Sequence, residues 1–161
     1  MQNPEKGDSA VTEPKNVRLW LQRGDMELTV RHTGGVRFEA QTRGHRLICD
    51  QPAANGGEDL GMTPPELLLS SLGTCAGFYA LSYLKARSLP SDGLTVKVTA
   101  EKVTKPARLD QIVIEVDAPG CPPEQESWIR RSIEACLIHN TLTHGPHIET
   151  VVRAGELVHA S

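Results

Sequence analysis

Residues 61–84 read GMTPPELLLSSLGTCAGFYALSYL, a helix whose start and surroundings are both legible in its residues. Thr63-Pro64-Pro65-Glu66 is a capping box, in which the Thr63 side chain serves the free amides of the first turn and Glu66 reaches back to the cap. Pro64 falls at the first helical position, where a missing N–H costs nothing. Beyond it Leu67, Leu68, Leu69, Leu72, Cys75, Phe78, Tyr79 and Leu81 cover most of the helix circumference, interrupted by small residues. Such a pattern predicts a central, buried helix closely packed on several sides, ending near Ser88-Leu89-Pro90.

Upstream, Met26, Leu28 and Val30 alternate with polar residues, as do Val36, Phe38 and Ala40 after Gly34-Gly35. His45 to Asp50 gives a third short strand after Arg43-Gly44, so an antiparallel meander is expected. The loop QPAANGGEDLGM (51–62) has no period. Downstream, Leu94, Val96, Val98 and Ala100 pair by pattern with Ile112, Ile114 and Val116 in a hairpin across Lys105-Pro106. A second helix is expected from Pro122-Pro123-Glu124, with the apolar stripe Trp128, Ile129, Ile133, Cys136 and Leu137 facing the core. A polar turn from His139 to Pro146 and a last strand over about Ile148 to Val152 complete the reading. The class is α+β, with antiparallel sheets and two principal helices. Residues 17–161 read as a single domain and residues 1–16, polar throughout, as a flexible arm.

With 161 residues, 39% of them hydrophobic, the chain can bury a core without metal or disulfide staples. A net charge of −3 with interspersed signs argues against a nucleic-acid partner, which would need a basic stripe. No membrane span is expected, because Ser70, Ser71, Gly73, Thr74, Gly77 and Ser82 break the apolar run. The N-terminus lacks the apolar segment of a signal peptide, so a cytoplasmic location is expected. In that compartment the four cysteines, at 49, 75, 121 and 136, are free thiols, inert or reactive.

Cys75 lies twelve residues past the helix cap, beyond reach of the helix dipole, and would need a nearby cation to be reactive. Otherwise it is a small core residue, as free cysteines often are. Cys136 carries the same two readings. Cys49 and Cys121 are incidental. His139, His144 and His147 crowd one loop near Cys136, but a second ligand pair with zinc spacing is missing, and no metal or other cofactor is expected.

At this point the chain is identified by resemblance. The run GGEDLGMTPPELLLSSLGTCAGFYALSYL (56–84) resembles the signature of the OsmC/Ohr family around its first cysteine. EACLIHNTL (134–142) is similar to the segment that carries the second, and GGVRFEAQTRGHRLICDQP (34–52) to the N-terminal strands. The resemblance covers most of residues 26–152. It implies an OsmC-like fold, an intertwined homodimer with sites at the interface, and thiol-based reduction of organic hydroperoxides. By position, Cys75 would be the peroxidatic thiolate and Cys136 the resolving cysteine, with an external dithiol, lipoyl-type in relatives, as reductant.

Peroxidases of the family carry a glutamate ten residues before the first cysteine, beside an arginine that activates the thiolate. Here that position is Pro65 and the acid is Glu66, one residue later, where it also serves the cap. The P-x-E-L-L-L form belongs to the OsmC-like branch. Arg37, just after Gly34-Gly35, is the nearest match to the arginine, with Arg31 as the fallback. The candidate site is thus Cys75, Cys136, Arg37 and Glu66. The alternative function is a non-peroxidatic OsmC-like protein that binds a small apolar or thiol-reactive ligand at the dimer interface.

Overall fold

The computed structural model describes residues 26–155, so the arm assigned to residues 1–16 lies outside the described residues. The chain divides into two compact units between Met62 and Thr63.

The first unit is the expected meander: β1 (Thr29–Gly34), β2 (Arg37–Thr42) and β3 (His45–Cys49), antiparallel in the order β1-β2-β3. Arg43 (φ 46°) and Gly44 (φ 81°) join β2 to β3. Two left-handed residues in a two-residue loop match the right-handed twist of the flanking strands. The register puts Val30 opposite Ala40, Ala40 opposite Leu47, and Phe38 opposite Cys49. Alternation of this kind usually marks a strand with its apolar side buried. Instead Val30, Phe38 and Leu47 all stand exposed in the single chain, and Met26 and Leu28 precede β1. Alternation specifies a strand; what covers its apolar face is a separate matter. A short turn of 3-10 helix, Ala53–Asn55, follows, and the loop 51–62 closes back on β3 through a bridge between Cys49 and Met62.

The second unit opens with α1 (Pro64–Ala86), begun where the sequence indicates. The Glu66 carboxylate accepts from the Thr63 N–H at 2.7 Å and from its hydroxyl at 2.8 Å. β4 (Thr95–Thr104) and β5 (Ala107–Asp117) form the expected hairpin, with Val98 opposite Ile114 and Thr104 opposite Ala107. One stripe of α1, Leu72, Ala76, Ala80 and Leu84 at intervals of four, is buried; Ala76, Ala80 and Leu84 join the core with Ile129 and Ile133. Alongside it, Gly73 and Gly77 admit β4 closely: a Cβ on Gly73 would sit 3.0 Å from Val98 Cγ2. The helix is therefore packed on two sides, not around its whole circumference. Leu68 and Phe78, the latter 65% exposed, lie on the remaining face. By length (23 residues) and mean hydropathy (1.4) α1 is also long and apolar enough to cross a membrane.

Three expectations fail downstream of the hairpin. The second helix is broken into α2 (Glu126–Glu134) and α3 (Leu137–Thr143), after a 3-10 turn at Pro123–Gln125. Cys136 stands between them with extended backbone (φ −62°, ψ 136°), so it is the N-cap of α3 and not part of a helical stripe. No proline or glycine marks the break. One unbroken helix would keep Cys136 and Leu137 on the same face as Ile133. The break turns Cys136 fully into the core and leaves Leu137 exposed. Trp128 is half-exposed as well, with the Arg131 guanidinium 5.4 Å from its ring centre. Second, the polar turn expected from His139 is mostly the helix α3. Third, residues 148–152 form no strand, and Ile148 and Val152 are exposed. A strand needs a neighbour to pair its N–H and C=O groups, and within the described residues this segment takes none.

Candidate functional site

Cys75 and Cys136 come together. They stand 61 residues apart in the chain, with Cα atoms 6.2 Å apart and their sulfurs paired. That Cα separation lies inside the range two cysteines need to bond without backbone movement. Helix α1 supplies Cys75 from its middle, adjacent to the buried stripe, and the break after α2 supplies Cys136. Cys75 is partly exposed while Cys136 is wholly buried. Cys75 is thus the more accessible member of the pair. Phe78, one turn farther along α1, puts an exposed aromatic ring beside it. Cys49 and Cys121 are unpaired.

Glu66 does not join them within the chain. Nine residues separate it from Cys75, which at ~100° per residue places the two on opposite sides of α1, roughly 13 Å apart along the axis. Both of its hydrogen bonds go to Thr63, and they hold its carboxyl below the usual carboxylate range.

Arg37 belongs to the first unit. It opens β2, and its guanidinium donates to Glu58 Oε2 at 2.8 Å. The structure gives Glu39 to Arg46, at 3.8 Å, and Glu58 to Arg37. Glu58 was missed because it lies in the aperiodic loop, where no pattern assigns a side chain a direction. Behind it is Asp50, 1% exposed. Its carboxylate accepts from the N–H groups of Gln51 (2.8 Å), Glu58 (3.1 Å) and Leu60 (3.2 Å). Burial pushes its pKa upward, but these three donors and the charge of Arg37 outweigh that and hold it below 3.8.

A carboxyl with a lowered folded pKa contributes stability above its unfolded pKa and loses it as pH falls through the folded value. Asp50 should therefore stabilise the loop at neutral pH and lose that contribution as pH drops below 3.8. Asp50→Asn is expected to lower the melting temperature at pH 7 and to flatten its acid-side fall. Thermal unfolding against pH checks this; a variant with the wild-type acid limb would refute it.

A groove of about 880 Å³ runs along β5, α2 and α3 in the second unit. Leu72, Ile114, Ile129 and Ile133 give it an apolar floor, with Arg130 and His139 among its polar lining residues. His139 Nδ1 is buried without a hydrogen-bond partner among the described residues. Neither Cys75 nor Cys136 lines this groove.

A sequence model of the family described as OsmC-like protein matches residues 56–151. The OsmC like protein of Mycoplasma pneumoniae is 22% identical, with a TM-score of 0.65 over 77% of this chain and 91% of its own. An organic hydroperoxide resistance protein from Elizabethkingia anophelis is 20% identical, with a TM-score of 0.58 over 75% and 89%. The organic hydroperoxide resistance protein OhrB of Bacillus subtilis is 18% identical, with a TM-score of 0.53 over 75% and 91%. At these identities the likeness is one of fold. Comparison with curated proteins finds no match.

Proposed function

Because the chain belongs to the OsmC-like protein family, we propose that it is a cysteine-dependent peroxidase that reduces organic hydroperoxides in the cytoplasm. The Cys75 thiolate attacks the outer oxygen of ROOH, so an S–O bond forms as the O–O bond breaks. The alkoxide takes a proton and leaves as ROH, and Cys75 becomes a sulfenic acid. The Cys136 thiol then attacks that sulfur, forming the Cys75–Cys136 disulfide and releasing water. An external dithiol, of lipoyl type, restores both thiols by exchange. The observation that carries this reading is the pairing of Cys75 with Cys136, one accessible and one buried. Fold-level neighbours described as organic hydroperoxide resistance proteins support the substrate class. Arg37 is the cation we assign to the thiolate, on the sequence resemblance. Glu66 we assign to the cap.

The test is thiol titration of the reduced protein before and after one equivalent of cumene hydroperoxide. Loss of two thiols within seconds is the expected result. Thiols that outlast the peroxide by minutes would refute the peroxidase.

The acting form we propose is a homodimer. The exposed side chains of Leu68 and Phe78 on α1, and of Val30 and Phe38 on the meander, support it, since a soluble monomer rarely leaves so many large apolar groups uncovered. Light scattering should give twice the chain mass, and Phe78→Arg should give the chain mass. A wild-type monomer would end this part of the proposal.

The groove supports a second reading, in which the protein binds a small apolar ligand without peroxidase chemistry. It becomes the working reading if the thiols resist the peroxide.

A further inference from the structure

Helix α3 is seven residues long, and none of its residues is buried. An isolated helix is marginal in water below ~12–15 residues, so the place of α3 depends on what holds it. It lies against α1 and α2. Its threonine hydroxyls tie it to neither: Thr141 donates to the Leu137 carbonyl at 2.8 Å and Thr143 to that of His139 at 2.9 Å. Leu137 and Leu142 are exposed. What enters the core is the cap itself. Cys136 is fully buried, its carbonyl accepts from the Asn140 N–H at 3.0 Å, and its sulfur is paired with Cys75 in the middle of α1. The pair is a covalent pin between the N-cap of α3 and helix α1.

The pinned position carries a cost. His139, in the first turn of α3, has its Nδ1 buried without a hydrogen-bond partner among the described residues. An atom buried in that way forfeits the hydrogen bond that water would give it. His139, Leu142 and Thr143 form one wall of the groove, facing β5 and the α2 residues Ile129 and Ile133. Movement of α3 away from that wall returns the nitrogen to water, and no fully buried side chain of α3 opposes it. With the bond in place the movement is checked at the cap. A dithiol that reduces the pair gives it two electrons and two protons, breaks the S–S bond and leaves itself as a disulfide. The Cys136 thiol is then held by packing alone.

We infer that the Cys75–Cys136 bond is a redox latch on α3. Oxidised, it pins α3 as a wall of the groove; reduced, α3 undocks, His139 Nδ1 reaches solvent and the groove opens along that wall. The groove is then complete only in the oxidised protein, so a ligand seated there binds that form more tightly. The inference rests on the pairing of the two cysteines and not on peroxidase activity.

The experiment is amide hydrogen exchange with mass spectrometry on the full-length protein. It compares the dithiothreitol-reduced form with the form closed by diamide, which takes two electrons and two protons from the thiol pair. Because diamide and not a hydroperoxide closes the pair, the result is independent of the proposed catalysis. Peptides covering Leu137–Thr143 should exchange about tenfold or more faster in the reduced form, the scale on which relief of one unpaired buried polar atom acts. Peptides covering Ala76–Leu84 should not change, since that part of the core keeps its packing. Cys136→Ser, given the same two treatments, should show no difference between them. His139→Phe, which fills similar space with no nitrogen to satisfy, should slow the exchange of α3 in the reduced form. Equal exchange over Leu137–Thr143 in the two wild-type forms overturns the latch. So does a reduced form that loosens equally over Ala76–Leu84, or a diamide-treated protein in which peptide mapping finds no Cys75–Cys136 link. A His139→Phe protein that responds as wild type does overturns the part given to His139.

Discussion

Cys75→Ser is expected to abolish peroxide consumption, by about a thousandfold or more, as removal of an enzyme nucleophile commonly does. A serine hydroxyl is a far weaker nucleophile than a thiolate, lies here beyond the dipole of α1, and cannot store oxidising equivalents as a sulfenic acid. Cys136→Ser should behave differently. Its Cys75 would still take one oxygen from one hydroperoxide, because Cys75 is the partly exposed member of the pair. Turnover would stop there, since no second sulfur meets the sulfenic acid in the core. The sulfenic acid should be trapped by a dimedone probe in Cys136→Ser and not in wild type, and excess peroxide should carry it to the sulfinic acid. Equal turnover in wild type and Cys75→Ser would refute the assignment of the nucleophile. A Cys136→Ser enzyme that cycles normally with a dithiol would remove Cys136 from the mechanism while leaving Cys75 in place.

Leu84→Ala is the substitution expected to do most damage to the fold. Leu84 is fully buried at the C-terminal end of the α1 stripe, in the cluster with Ala76, Ala80, Ile129 and Ile133. Two of its core neighbours are alanines, which have no longer side chain to swing into the space left behind. Truncation should cost about 2–5 kcal/mol, the transfer energy of the lost atoms plus a cavity that relaxes only in part. That is a large share of the stability of a small domain. Denaturant unfolding measures it, with the slope expected to stay constant while the midpoint falls. A loss under ~1 kcal/mol would mean that the core closes over the gap.

The first helix was legible because local chemistry writes its start: Thr63, Pro64 and Glu66 can satisfy that end in any surroundings. The meander and the β4–β5 hairpin were legible for a similar reason, since alternation and turn residues act over a few positions. Family membership was legible too, through the runs around Cys75 and Cys136. The errors share a different cause. The break at Cys136 has no breaker residue, and the strand expected at 148–152 has a fair pattern but takes no partner. Glu58 was invisible because its partner depends on where Asp50 holds a loop.

By itself, then, the sequence determined where α1 begins, the strands of the meander and of the β4–β5 hairpin, and that the class is α+β. Those are consequences of local propensity and of residues within a turn or two of one another. Only the tertiary structure decided that Cys136 leaves its helix to meet Cys75, and that Arg37 is held by Glu58. Each of these joins groups distant along the chain or competing for one side chain, and the choice among them is made by packing and by the cost of leaving a buried polar group unpaired.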